Sequence, residues 1–204
     1  MPPHPDPARN PDPDQGPAPA RHHGARRADE AGPARAGLDR TGVLARQITA
    51  ALTAADHTVA VAESLTGGRL ATVLADAPGA GRAFLGGVVA YATDLKSTLL
   101  HVDATLLAEE GPVHPEVAAQ MAQGIRSITG ATYALATTGV AGPAPQDGRP
   151  VGTVYIALAG PHTTATAEPR PRTDRRETIQ DDTVVAALQL LHDLLRPGNA
   201  ARPP

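Results

Sequence analysis

Between Thr58 and Leu70 the chain reads Thr-Val-Ala-Val-Ala-Glu-Ser-Leu-Thr-Gly-Gly-Arg-Leu, and no other stretch restricts the architecture as much. Thr58 to Ala62 are small and β-branched, the pattern of a buried strand. A polar, glycine-rich turn follows, and then Leu70, Val73 and Leu74 recur at helical spacing until Pro78. The turn Ser-x-Thr-Gly-Gly brings Ser64, Thr66 and unpaired backbone N–H groups to a helix N-terminus. Partial positive charge there suits a phosphate or a developing oxyanion, with the N–H groups near Gly67 and Gly68 as candidate donors. An ordinary strand-to-helix connection, with Ser64 or Thr66 as N-cap, has the same pattern. Both readings stay open on this stretch alone.

Strand and helix patterns alternate through the rest of the chain. Leu44, Ile48, Ala51, Leu52 and Ala55 predict a helix from about Thr41, capped by Asp39 or Thr41. Ala77 to Gly81 predicts a loop. Phe84 to Tyr91 predicts a second strand, with Gly86-Gly87 marking a bulge or a close backbone approach. Thr93-Asp94 predicts the cap of a short helix carrying Lys96, Leu99 and Leu100. Another short helix is predicted over Asp103 to Glu110. A longer one starts at Pro115, buries Val117, Met121, Ile125 and Ile128, and stops at Gly130. Thr132 to Thr137 and Val151 to Ala159 predict strands, and Thr163 to Ala167 a weaker edge strand. The last predicted helix puts Ile179, Thr183, Ala187, Leu190, Leu191 and Leu194 on one face. The fold class expected is α/β, a single-domain three-layer α/β/α sandwich around a largely parallel or mixed sheet. Ligands of such sheets sit beyond the carboxyl ends of strands. That brings the Ser64 turn, the segment after Tyr91 and the loop after Thr137 toward one crevice.

Composition narrows the partners. Residues 1–39 are rich in Pro, Ala, Gly, Asp and Arg with almost nothing large and apolar, which predicts a disordered tail. Residues 40–196 are the predicted domain and 197–204 a second tail. A net charge of −3 gives no electrostatic reason for nucleic acid or an anionic membrane surface as partner. With three tyrosines, one phenylalanine and no tryptophan, there are few platforms on which bases would stack. The absence of cysteine removes disulfides, thiolate metal sites and a cysteine nucleophile, and is compatible with a cytoplasmic location. His57, His101, His114, His162 and His192 form no ligand-spaced cluster, so no metal is expected.

The residue to weigh with Ser64 is Lys96, the only lysine in the sequence, where arginine carries the rest of the positive side-chain charge. A surface lysine has the same appearance in a sequence. Near a helix start, however, the dipole disfavours a cation, and burial beside Tyr91 would lower the amine pKa further. A neutral amine can take the proton from a serine hydroxyl, as Ser-Lys enzymes do without histidine. Tyr91 would relay a proton, orient the amine or pack with a wet hydroxyl.

Several separate motifs together resemble one family. Ala62-Glu63-Ser64-Leu65-Thr66-Gly67-Gly68, the pair Tyr91…Lys96, and Thr138-Gly139-Val140-Ala141-Gly142-Pro143 with Pro150-Val151-Gly152-Thr153-Val154 look like the C-terminal domain of the CinA family. The resemblance covers roughly Thr41 to Leu195. It implies a nicotinamide-nucleotide amidohydrolase, which converts nicotinamide mononucleotide and water to nicotinate mononucleotide and ammonia in pyridine-nucleotide recycling, without a cofactor. It implies Ser64 as nucleophile, Lys96 as general base and Tyr91 as supporting residue. Glu63, Thr66, Gly67, Gly68, Thr138, Gly139 and Arg176 are the expected substrate-binding residues. Larger members carry an N-terminal domain similar to molybdopterin-binding proteins, so this chain is expected to be the stand-alone form. The expected partner is the small nucleotide, with no nucleic acid or membrane, and a homodimer stays open. Three departures from the family pattern bear on substrate affinity. Asp174-Arg175 precedes Arg176 where Gly-Asp is usual, Gln180 stands where arginine is common, and His114 replaces a frequent serine. A nucleotide-binding module without chemistry and an interaction domain are the alternative functions.

Overall fold

The computed structural model describes residues 33–196, with side chains from residue 40 onward; the predicted tails beyond 33–196 lie outside the described residues. Among these residues the order is α1 (Pro33–Ala54), β1 (Val59–Glu63), α2 (Arg69–Ala75), α3 (Ala80–Ala83), β2 (Phe84–Val89), α4 (Thr93–Leu100), α5 (Ala104–Glu110), α6 (Pro115–Thr129), β3 (Tyr133–Gly139), β4 (Val154–Ala159), β5 (Thr164–Ala167) and α7 (Arg176–Leu195). The strands form one mixed sheet in the order β2-β1-β3-β4-β5. β1 runs parallel to β2 and β3, while β3–β4 and β4–β5 are antiparallel. Helices cover both faces, as the three-layer reading expects.

Residue size makes the two faces of the sheet unlike. Side chains alternate along a strand. Val59, Val61, Leu135, Ile156 and Leu158 point to one side, where they pack with α1, α2 and α7. Ala60, Ala62, Ala134, Ala136, Ala157 and Ala159 point to the other, beneath Val117, Met121 and Ile125 of α6. Each fully buried Val, Leu or Ile stabilises by about 1.5–3 kcal/mol, so the first face carries more of the hydrophobic stabilisation. The alanine face instead lets α6 lie close to the strands. Gly124 takes this furthest: a Cβ there would collide with the Leu100 carbonyl at the end of α4.

Local chemistry explains where the elements depart from the sequence reading. α1 begins at Pro33 rather than near Thr41. Proline suits a first helical position and Ala34, Arg35, Ala36 and Leu38 favour helix, so Asp39 and Thr41 lie inside the helix instead of capping it. A short helix, α3, replaces part of the predicted loop. The N-cap of α4 is Ala92 without a side-chain bond, and Thr93 is already helical. β4 starts at Val154, because Val151 to Thr153 form a turn closed by Thr153 N–H to the Pro150 carbonyl at 3.1 Å. Ile128 is 52% exposed and lies off the buried face of α6, while Gln180, Val184 and Leu188 are buried in α7 in addition to four of the six residues expected there. Both readings of Gly86-Gly87 hold. The register slips so that Leu85 is left over between Val59↔Phe84 and Ala60↔Gly86, and a Cβ on Gly87 would strike Val61. His114 caps α6, its Nδ1 accepting the Glu116 N–H at 3.2 Å, so the imidazole does the work a serine would do there.

Gly124→Ala should therefore lower the unfolding free energy by about 1–3 kcal/mol through overpacking. Gly42→Ala, in a helix with open space around it, should raise it by up to about 1 kcal/mol. Denaturant melts of the two variants check the contrast; equal effects would mean that α6 is not held as close as described.

Candidate active site

Ser64 is the first residue beyond β1, and both neighbouring strands hold it in place. Its N–H donates to the Thr137 carbonyl of β3 at 3.0 Å, and the preceding Glu63 carbonyl accepts the Ala90 N–H at the end of β2 at 2.8 Å. The turn closes with Gly67 N–H on the Ser64 carbonyl at 3.1 Å. Gly67 and Gly68 have φ of 59° and 96°, the left-handed region that glycine enters without strain.

The side chain of Glu63 decides what this turn can bind. It is fully buried, and its carboxylate accepts Gly68 N–H at 3.0 Å, Leu70 N–H at 3.1 Å and Ala71 N–H at 2.8 Å. An internal carboxylate thus occupies the N-terminus of α2, where charge and dipole favour it. The donors of Gly67 and Gly68, expected to face an anion, are already engaged within the protein. Thr66 is buried too, its Oγ1 2.8 Å from Thr137 Oγ1. Glu63, Thr66, Gly67 and Gly68 therefore lie beside the site rather than in its lining. Gly67 and Gly68 border a separate groove with Thr41, Arg69, Thr72, Val73, Asp181 and Val184.

Lys96, on the second turn of α4, is the only lysine in the sequence and is 1% exposed. Its Nζ lies 3.0 Å from Ser64 Oγ and donates to the Ala90 carbonyl at 2.9 Å. Burial pushes its pKa down from the ordinary 10.5 to about 8. Burial is the cause, where the sequence reading also invoked the helix dipole and Tyr91. Tyr91 does not touch the amine by hydrogen bond: it is 58% exposed, and its hydroxyl accepts from Arg176 Nη2 at 2.7 Å.

Ser64 and Lys96 open into one solvent-facing cleft. Tyr91, Thr138, Gly139 and Arg176 share its lining, joined by Pro112, Val113 and the loop from Val140 to Gln146. Thr138 Oγ1 donates to the Pro112 carbonyl at 2.7 Å. The loop is tied to the Pro150–Thr153 turn by Val140 N–H to Thr153 O at 2.8 Å and Gly152 N–H to Val140 O at 2.9 Å. Arg176, the first residue of α7, donates to the Gly142 carbonyl at 2.7 Å as well as to Tyr91. Arg175 is the N-cap and is absent from the lining, so the register that chose Arg176 places it at the cleft. The sequence reading missed the Ala90 carbonyl, a backbone group with no residue signature, and gave Gln180 no role. Gln180 is buried with Nε2 2.6 Å from the Leu65 carbonyl. Among the described residues no three His, Asp or Glu side chains are grouped as metal ligands, and no helix is long and apolar enough to cross a membrane.

Residues 42–195 match the model of the CinA C-terminal domain. The chain belongs to the CinA family. A CinA-like protein of Frankia casuarinae is 56% identical over 138 residues, covering 68% of this chain and 32% of that protein. A CinA-like protein of Gloeobacter violaceus is 45% identical over 162 residues, 76% of this chain and 38% of its own length. The chain thus spans about a third of the length of these curated relatives. Among solved structures, the competence/damage inducible protein CihA from Agrobacterium tumefaciens is 34% identical with a TM-score of 0.73, covering 77% of this chain and 96% of that one. A CinA superfamily protein from Klebsiella pneumoniae 700603 gives 32% and 0.72, with coverages of 76% and 97%. The fold seen here is the CinA-superfamily fold.

The buried amine makes a stability prediction for this CinA domain. Below about pH 8 Lys96 is protonated in both folded and unfolded chains, and the folded state carries the full penalty. Between about 8 and 10.5 the unfolded chain holds the extra proton, so stability rises with pH. The drop from 10.5 to about 8 corresponds to at most about 3 kcal/mol. Lys96→Met should therefore be more stable than wild type at pH 7, and the difference should shrink as pH passes from about 8 to 10.5. Denaturant melts across that range check the sign; a variant less stable at pH 7 contradicts it.

Proposed function

We propose that this CinA domain deamidates nicotinamide mononucleotide to nicotinate mononucleotide and ammonia, with Ser64 as nucleophile and Lys96 as base. The observation that carries this reading is the separation of 3.0 Å between Ser64 Oγ and a buried Lys96 Nζ whose pKa is lowered to about 8. The substrate follows from the family resemblance of the motifs around Ser64, Lys96 and Thr138.

The geometry supports a definite sequence of proton positions. With Lys96 neutral, one amine N–H stays on the Ala90 carbonyl and the lone pair is free to accept the Ser64 hydroxyl proton. Oγ then bonds to the carboxamide carbon. Collapse of the tetrahedral intermediate breaks the C–N bond as the Lys96 ammonium gives its proton to the leaving nitrogen, which departs as ammonia. Water attacks the resulting ester and gives one proton to Lys96; collapse breaks the C–Oγ bond, Lys96 passes that proton to Ser64 Oγ, and the acid leaves as the carboxylate with its proton lost to solvent. Arg176 has five N–H donors, of which two are engaged by Gly142 and Tyr91, so it retains capacity for a phosphate. Tyr91 then acts as a support for that guanidinium rather than as a partner of the amine.

Ammonia release from nicotinamide mononucleotide is the test. Ser64→Ala should lose turnover by several orders of magnitude while still binding the nucleotide. Lys96→Arg should be nearly as inactive, because guanidinium stays protonated. The acid limb of kcat/KM in the wild type should fall with a midpoint near 8. Nucleotide binding with no ammonia release by the wild type would replace this reading with a non-catalytic binding module.

Arg176→Ala should raise KM by about tenfold or more with a smaller change in kcat, from loss of a charge-assisted phosphate contact. Steady-state kinetics beside Arg175→Ala decide it; the effect appearing in Arg175→Ala alone would reassign the phosphate contact.

A further inference from the structure

Two polar side chains at the cleft take no part in the reaction above. Thr93 and Gln146 both line it, and neither side chain has a hydrogen-bond partner among the described residues. The other polar side chains of the lining are engaged: Ser64 with Lys96, Tyr91 with Arg176, and Thr138 with the Pro112 carbonyl.

The backbone fixes where each of the two stands. Thr93 is the first residue of α4, three before Lys96, a spacing that puts both on one face of the helix. Three residues rise about 4.5 Å along the axis, and over that distance burial falls from the enclosed Lys96 to the half-buried Thr93. Gln146 belongs to the loop after β3 and closes a two-residue turn. Its N–H donates to the Arg149 carbonyl at 3.1 Å, and Arg149 N–H donates back to the Gln146 carbonyl at 2.8 Å. Between them Asp147 and Gly148 have φ of 47° and 73°, the two left-handed residues of a type I′ turn.

Charge sorts the parts of a pyridine nucleotide among these groups. The carboxamide goes to Ser64 and Lys96, and the phosphate to the spare donors of Arg176. The part left over is the ribose, whose hydroxyls are neutral and both give and accept hydrogen bonds. A threonine hydroxyl and a glutamine amide are likewise neutral, and each can both give and accept. A site that hydrogen-bonds a substrate hydroxyl disfavours an analogue lacking it, because its own polar groups then lose their partner.

We propose that Thr93 and Gln146 recognise the ribose hydroxyls of the nucleotide and so select it over its deoxy analogues. The proposal rests on the nucleotide substrate put forward under the proposed function. Solvent-facing side chains with no part in binding would treat every nucleotide alike.

The test measures dissociation constants in the Ser64→Ala protein, where turnover does not consume the ligand. The ligands are nicotinamide mononucleotide and its 2′-deoxy and 3′-deoxy analogues. Thr93→Val keeps the shape without the hydroxyl, and Gln146→Leu keeps the bulk without the amide. Each should weaken binding of the parent nucleotide by about threefold to tenfold, the loss of one neutral hydrogen bond. Neither should weaken further the analogue that already lacks the hydroxyl it contacts. Thr93→Ser should restore binding, and Arg176→Ala should weaken all three ligands equally, since each carries the phosphate. If either Thr93→Val or Gln146→Leu weakens all three alike, or none of them, the proposal is overturned. A parent nucleotide that does not bind removes the proposed substrate, and this proposal with it. Binding without ammonia release by the wild type would defeat the catalytic reading alone, and the same constants would still decide this one.

Discussion

A lysine amine out of water, one hydrogen bond from a serine, is the constraint to which the rest of this domain answers. Moving an ammonium from water into a protein interior is unfavourable, and the group responds by giving up its proton more readily. That response turns a side chain of ordinary pKa 10.5 into one poised near 8, as the proposed role of base toward Ser64 requires. The amine is useful only while α4 keeps it buried and β1 keeps Ser64 within reach. The Ala90 carbonyl at the end of β2 and the Thr137 carbonyl at the end of β3 fix the two partners from either side.

The packing behind α4 serves the same end. Leu100, one turn beyond Lys96, is fully buried, and α6 presses against its carbonyl through Gly124. That approach is available because β1, β3 and β4 turn alanines toward α6 and keep their larger side chains for the opposite face. Small residues on one side of the sheet thus bring helices close enough to exclude water from an amine. The buried carboxylate of Glu63 performs a parallel task for the turn. It satisfies three N–H groups at the start of α2 that have no partner inside the helix.

The layered fold was legible because periodicity of two and of 3.6 residues records burial directly, as in Val59 to Ala62 and in Val117, Met121 and Ile125. Gly86-Gly87 was legible because a missing Cβ has few structural uses. Caps were less so: Asp39 and Thr41 have cap chemistry, but a run of helix formers after Pro33 carries the helix past them. For the site, the pairing of Ser64 with Lys96 came from motif order, and the structure brings the two together. The surroundings were misjudged for a physical reason. A Gly-Gly turn before a helix advertises free N–H groups, and nothing in one dimension says that the preceding glutamate folds back to take them. The alternatives open for Tyr91 in the sequence all centred on the amine or on packing, whereas its hydroxyl accepts from Arg176, 85 residues away.

Because the sequence holds a single lysine, the central claim can be measured without ambiguity. Protein labelled with ¹³C only in lysine gives one side-chain Cε signal, and its shift reports the charge of Lys96 directly. Titrated in the folded state, that signal should move with a midpoint near 8, well below the ordinary 10.5. A midpoint at 10 or above would mean that the amine stays charged at working pH, and Lys96 could not then be the base that activates Ser64.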